Sequence, residues 1–382
     1  MQARVYLLTA ALTVLVLALV TIVFTVVVDP YRMFDTAAVA GWNEMKPRVY
    51  LHANLAKTYQ LERIAPKTLL LGNSRVEVGF DPESNAWPED ARPVFNGGQA
   101  GTDLFTSWAL LRDAVAVKPP RTIIVGLDII DFLQPNKDRP AGFPENIADR
   151  LLVDDEGRAN PQRAAQRRKD LLATTLTIDA LIDSFATVLN QEPSSNATMT
   201  PYGFNPLQET NVYLRRSGQH DHFAEKTRTY EKQFAQFKPR EFSSLDAANF
   251  TALDAILDIA RDKKIRVVLF IHPYHADFMD VLQKAGLTAS FARWKEALAQ
   301  LTAARAGRQP ITLIDFSAPS DVTREAVPPP HDVHTVMQWY WESGHYKAAL
   351  GDKMIPRLLG ADDSFGKVLA PSIVPNAQTA KN

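Results

Sequence analysis

Ser74 follows a short apolar run, Lys67–Gly72, across Asn73. A serine hydroxyl at its ordinary pKa is a poor nucleophile and needs an adjacent general base. A base of the right type stands far downstream, where Glu342 and His345 are three residues apart. A carboxylate and an imidazole at that spacing can face the same way at a turn or a helix start. The carboxylate then holds one ring nitrogen while the other takes a proton from Ser74, the division of labour of a nucleophile–base–acid relay. Each piece is common by itself. A serine after a strand often caps a helix, and Glu-x-x-His is often surface charge.

Two further segments fit the same chemistry. Asn96-Gly97-Gly98-Gln99-Ala100-Gly101 is glycine-rich enough to aim backbone N–H groups at one spot, as an oxyanion hole requires. Gly126-Leu127-Asp128 ends another apolar run, and Asp128 is either polar lining of a site or a helix cap. Arg75 is a candidate for holding an anionic substrate, with a surface ion pair as the ordinary alternative. His272, Tyr274 and His275 are candidates for substrate contact. The pairs His272/His275 and His331/His334 have only two ligands each, whereas a metal site wants three convergent ones, so no metal or cofactor is expected. The chain has no cysteine, which removes thiolate chemistry and disulfides.

These segments need a scaffold. Four short apolar runs, at 67–72, 121–128, 265–271 and 311–315, read as buried strands. Helical periodicity lies between them, at 103–117, 255–264 and 289–306, and a last amphipathic helix reads from His345 to Leu359. Strands alternating with helices imply an α/β fold, a mainly parallel sheet covered on both faces. In such sheets ligands sit beyond the C-terminal strand ends, where all four chemical segments fall. Residues 131–241 interrupt this pattern with a charged, Pro-containing insertion in which one helix, 168–190, is expected. The segment contains a glycosylation-type triplet, Asn196-Ala197-Thr198. The main domain is expected over 66–362 and a flexible tail over 363–382.

Val5 to Val28 contains no charge, no Gly and no Pro. At about 1.5 Å per residue such a run crosses a hydrocarbon core of about 30 Å. It is longer than the roughly 7–15 apolar residues of a cleaved leader. Residues 1–28 therefore read as a transmembrane anchor in a lipid bilayer, and 29–65 as a connector. Charges flanking the run barely decide orientation. The net charge of −1 provides no basic field for nucleic acid.

Taken in order, Gly-x-Ser, the Asn-to-Gly loop, Gly-x-Asp and Glu-x-x-His resemble the SGNH (GDSL-type) hydrolase superfamily. More narrowly they are similar to its membrane-anchored bacterial branch, which includes the alginate O-acetylation proteins and the D-alanyl-lipoteichoic acid protein. Gly72–Pro82 and Trp341–Tyr346 carry most of the resemblance, which covers roughly 67–130 and 265–358. It implies a flavodoxin-like three-layer αβα fold, Ser74 as nucleophile, His345 as general base and Glu342 as orienting acid. It implies the N–H groups of Ser74 and Gly101 as oxyanion donors, with Asp128 at the third position and Asn96 among substrate contacts. It implies acyl transfer to, or ester hydrolysis on, a polysaccharide outside the inner membrane, with a multipass membrane acyltransferase as partner. Two residues depart from the family pattern. Glu342 stands where Asp is usual, and Asp128 stands where an oxyanion-donating Asn is usual. An inactive scaffold that binds a glycan or a membrane partner is the rival reading.

Overall fold

The computed structural model describes residues 2–134, 147–192, 199–242, 245, 247–305, 307, 309–362 and 364–370. The triplet at 196–198 and the end of the tail lie outside the described residues. The chain opens with helix α1 (Gln2–Val28), followed by α2 (Ala53–Ile64). Strand β1 (Thr68–Leu71), α3 (Ser74–Gly79), β2 (Val94–Asn96), α4 (Leu104–Val117) and β3 (Thr122–Leu127) come next. Helices α5 (Ile129–Leu133), α6 (Ile147–Arg150), α7 (Arg163–Thr175), α8 (Ile178–Leu189), α9 (Gln208–Ser217) and α10 (Gln219–Phe234) fill most of the interruption. The regular alternation resumes with α11 (Ala248–Asp262), β4 (Arg266–Ile271), α12 (Ala276–Lys284), α13 (Thr288–Arg305) and β5 (Ile311–Asp315). A hairpin of β6 (Tyr340–Glu342) and β7 (His345–Tyr346), then α14 (Ala348–Leu359) and β8 (Lys367–Val368), close the fold.

The main sheet runs β2-β1-β3-β4-β5-β8, parallel except for β8. Its central strands are mostly apolar because both faces are buried. Side chains alternate between the faces. Leu69, Leu71, Ile123 and Val125 enter one apolar cluster, and Leu70, Ile124 and Val268 enter another on the opposite side. The first cluster packs under α4, α11 and α13, the second under α3 and α14. α1 is long and apolar enough to cross a membrane.

Several expectations are corrected. Val94–Asn96 forms an additional parallel strand, too short to show a pattern. The last helix starts at Ala348, not His345, because His345 and Tyr346 pair with β6 instead. The single helix expected over 168–190 is two, α7 and α8, with a bend of 55° between them. The start of the expected flexible tail is ordered, since Lys367–Val368 adds an antiparallel edge to β5.

The helix that begins at Ser74 is fixed by close backbone contact. A Cβ on Gly351 of α14 would lie 1.8 Å from the Gly79 carbonyl oxygen, and one on Gly79 would lie 2.1 Å from the Tyr346 ring. Backbone cannot yield as a side chain can, so Gly351→Ala must push α14 away from α3. The expected cost is about 1–3 kcal/mol or more, read as a lowered denaturation midpoint. Unchanged stability would show that this contact does not hold α3.

Candidate functional site

Strand order reverses direction between β1 and β3, since β2 lies on one side of β1 and β3 to β5 on the other. The chains leaving β1 and β3 therefore diverge and open a crevice at their C-terminal ends. Ser74 follows β1 and Asp128 follows β3, so both sit there. Gly72 makes the exit from β1 with φ +148°, where a Cβ would lie 2.5 Å from Val76. Gly98 and Gly126 approach Val76 almost as closely, so two loops and the end of β3 converge on one side chain. Asn73 caps α3 by accepting from the Arg75 N–H at 3.1 Å. This leaves Ser74 at the first helical position, where its own N–H has no intrahelical partner. Beneath it lies a buried pair, Lys57 Nζ to Glu77 Oε1 at 3.3 Å. Lys57 also donates to the Gly98 carbonyl, and Glu77 accepts from the Ala100 N–H, which pins the glycine-rich loop.

Ser74 Oγ lies 2.7 Å from His345 Nε2. On the other side of the ring, His345 Nδ1 is in hydrogen-bond contact with Glu342 Oε1. Glu342 is buried, which alone would raise its pKa. The His345 ring, the Gly344 N–H and the Arg75 charge outweigh burial and hold it below the usual glutamate value. An ionised carboxylate only accepts, so the imidazole proton belongs on Nδ1. Nε2 is then a free base facing the serine O–H. The β6–β7 turn makes this arrangement, because Glu342 and His345 are paired across it and Glu342 Oε2 accepts from Gly344 N at 2.7 Å. Ser74 and His345 are half-buried while Glu342 is buried, so the reactive end of the relay faces the solvent. Such a chain can transfer the serine proton and later return it to a leaving group.

Asp128 is not placed as an oxyanion donor, which corrects that expectation. It is 1% exposed and its oxygens already accept from four groups. Arg75 makes an ion pair with it, Asn73 Nδ2 donates at 2.8 Å, the Tyr274 hydroxyl at 3.0 Å, and the Ile130 N–H at 3.1 Å. Asp128 is thus the cap of α5 and the counter-ion of Arg75. Arg75 is buried in this ion pair and also lines the crevice beside Ser74. Its Nε donates to the Gly344 carbonyl at 2.6 Å, and its guanidinium lies 5.2–5.3 Å from the rings of Phe278 and Tyr274.

Four other expected substrate contacts prove internal. Asn96 is fully buried and donates to the carbonyls of Val76 and Phe80 at 2.8 Å each, tying off the end of α3. His272 is sealed against Gly126 and bonds Tyr346 through Nδ1 at 3.1 Å. Burial, with Arg75 and His345 nearby, holds His272 well below the usual histidine pKa, so it is neutral. Tyr274 stacks on Phe278 at 4.5 Å and serves Asp128. His275 caps α12 and bonds the Glu325 carbonyl at 2.9 Å. Among the described residues no cluster of three or more metal-ligating side chains occurs.

Two pockets flank the Ser74–His345 pair. One, of about 250 Å³, is lined by Ser74, Gly101, Asp103, Asp131, Tyr230 and Gln233 among others. The other, of about 310 Å³, is lined by Ser74, Asn205, His222, Lys226, Trp341 and His345 among others. Helix α10 supplies a wall to both through His222, Lys226 and Tyr230, four residues apart and so on one face. The Tyr230 hydroxyl lies 3.5 Å from His345 Nδ1. None of these three was identified from the sequence. Their signal was an i, i+4, i+8 row of polar side chains in an insertion without a local motif. Asp131 was also missed: burial, then the nearby Asp103, push its pKa up to about 8 against the pull of Arg75 and Asn73.

No known protein-family model matches the chain, and no curated protein shows significant similarity to it.

Two outcomes follow. Asp128→Ala leaves a buried guanidinium without its counter-ion, so it should destabilise the fold by about 3–5 kcal/mol in chemical denaturation. A loss of serine reactivity with intact stability would instead restore the oxyanion role. Asp131 is neutral below about pH 8 and negative above it. Negative charge beside Ser74 opposes a developing oxyanion, so Ser74 acylation should fall as pH rises through about 8. In Asp131→Asn this alkaline fall should vanish; a fall that persists assigns it to another group.

Proposed function

We propose that the protein is a membrane-anchored, serine-dependent O-acyltransferase or carbohydrate esterase of the SGNH type. The observation that carries this reading is the Ser74–His345–Glu342 relay at the mouth of two pockets. Ser74 gives its proton to His345 Nε2 as Oγ attacks the ester carbonyl carbon. The carbonyl oxygen takes the electron pair and is met by the N–H groups of Ser74 and Gly101. The carbon–oxygen bond to the leaving alcohol then breaks, and His345 returns the proton to that oxygen. Acyl-Ser74 remains. An acceptor hydroxyl or water repeats the sequence in reverse, with His345 again as the base.

The two pockets favour transfer over simple hydrolysis. Both include Ser74 and His345 in their walls, so one can hold the acyl donor while the other holds the acceptor. Pocket walls rich in hydroxyl, amide and imidazole groups suit a hydroxyl-bearing acceptor such as a polysaccharide. The strand order 2-1-3-4-5 of the parallel part is compatible with a flavodoxin-like SGNH domain. On this reading α1 anchors the chain in the inner membrane. The site then faces outward, beside a multipass membrane acyltransferase that supplies acyl groups.

A fluorophosphonate probe tests the nucleophile. It should label the full-length protein, and Ser74→Ala should abolish the label. His345→Ala should slow labelling by roughly 10²–10⁴-fold. Folded protein that takes no label would overturn the enzyme reading and favour a glycan- or partner-binding scaffold.

A further inference from the structure

Helix α8 is inside out for a protein in water. Its buried side chains are Ala180, Ser184 and Thr187, small or hydroxyl-bearing. Asp183, on the same side, accepts from the Tyr31 hydroxyl at 2.7 Å and faces Arg48. The opposite face carries Ile178, Ile182, Phe185 and Leu189, which are 51–79% exposed. Leu172 and Leu176, on α7 and at the bend, extend this face and are also exposed. A helix surrounded by water turns such a stripe toward the core. Here the polar stripe is inward and the apolar one outward, in a contiguous patch that marks an interaction surface.

Its position indicates the partner. α8 packs along the last turns of α1, with the Phe185 and Phe24 rings 4.9 Å apart. Thr25 Oγ1 donates to the Thr175 carbonyl at 3.2 Å, which ties the bend to the same level. Trp42 lies edge-on to Phe24 at 6.5 Å and is partly exposed. The 27 residues of α1 span about 40 Å, more than a hydrocarbon core of about 30 Å. Its C-terminal turns therefore lie near the lipid–water interface, where aromatic rings collect. The apolar face of α8 is continuous with that end of the span.

We infer that the α7–α8 hairpin lies in the interfacial layer of the bilayer, with Ile178, Ile182, Phe185 and Leu189 among the acyl chains. The occupant of this face is lipid, and the hairpin is a second membrane contact that stops the domain from swivelling on its anchor. The inference rests on reading α1 as the membrane-spanning helix.

The absence of cysteine makes the test direct. Single substitutions Ile182→Cys and Phe185→Cys in the full-length protein are labelled with an environment-sensitive fluorophore and reconstituted into phosphatidylcholine vesicles. Leu15→Cys, inside α1, and Glu156→Cys, on the exposed surface, serve as references. Brominated acyl chains should remove most of the emission at positions 182, 185 and 15 and leave position 156 bright. Quenching at 15 without quenching at 182 and 185 overturns the inference and leaves the anchor standing. This includes the case where those labels are dry but covered by protein, such as a second copy. No quenching at 15 removes the anchor and this inference together.

Discussion

The site depends on one buried ion pair, Arg75 with Asp128. A guanidinium inside a protein is tolerable only if its desolvation is offset by close, well-aimed acceptors. Arg75 meets two, the Asp128 carboxylate and the Gly344 carbonyl, and aromatic rings cover its faces. Each partner belongs to a different part of the fold. Arg75 is the residue after Ser74 on α3, Asp128 ends β3, and Gly344 is the turn between Glu342 and His345. One side chain therefore fixes where the hairpin sits relative to the serine. The 2.7 Å contact between Ser74 and His345 is held by this tie together with the close packing of Gly79 against Tyr346 and Gly351.

The same arrangement explains why so many polar residues near the crevice do not face it. Asn96, His272 and Tyr274 are all buried, and each has a local hydrogen-bonding role. A buried polar group without partners is costly, so most of these atoms are answered by another, and the network grows outward from the ion pair. What remains for chemistry is small. Ser74 and His345 keep partial exposure, and the Gly101 loop leaves open space beside them. Preorganisation of this sort lets a site stabilise charge without reorganising when it forms.

The legibility of the chain follows from how local each feature is. Buried parallel strands are short runs of apolar residues, a signal contained in a few positions, and the four longest were readable. β2 has three residues and follows Arg92-Pro93, so it carries no pattern of its own. The β6–β7 hairpin was hidden because His345 also suits the amphipathic register of α14. Ser74, His345 and Glu342 could be read as types and order, since their chemistry restricts which residues will serve. Asp128 could not, because a carboxylate after a strand looks alike whether it caps a helix, binds a cation or lines a pocket. Only Arg75, 53 positions away, decides among these. The α10 row is harder still, since its meaning lies wholly in what the helix packs against.

The interruption between β3 and β4 links the two ends of the molecule. Its first part, α7 and α8, lies against the end of α1, and its later part, α10, walls both pockets and touches the β6–β7 hairpin. A segment that only capped the crevice would have no reason to expose apolar residues beside α1, and one that only met lipid would have no reason to bring Tyr230 against His345. On the membrane reading proposed above, connecting both through the body of the domain would set the height of Ser74 above the bilayer and the direction in which the pockets open. Such a constraint matters most to an enzyme that receives its acyl group from within the membrane, because the donor then arrives at a fixed level. A freely tumbling esterase would gain nothing from it, which is a physical reason to weigh transfer above hydrolysis for this fold.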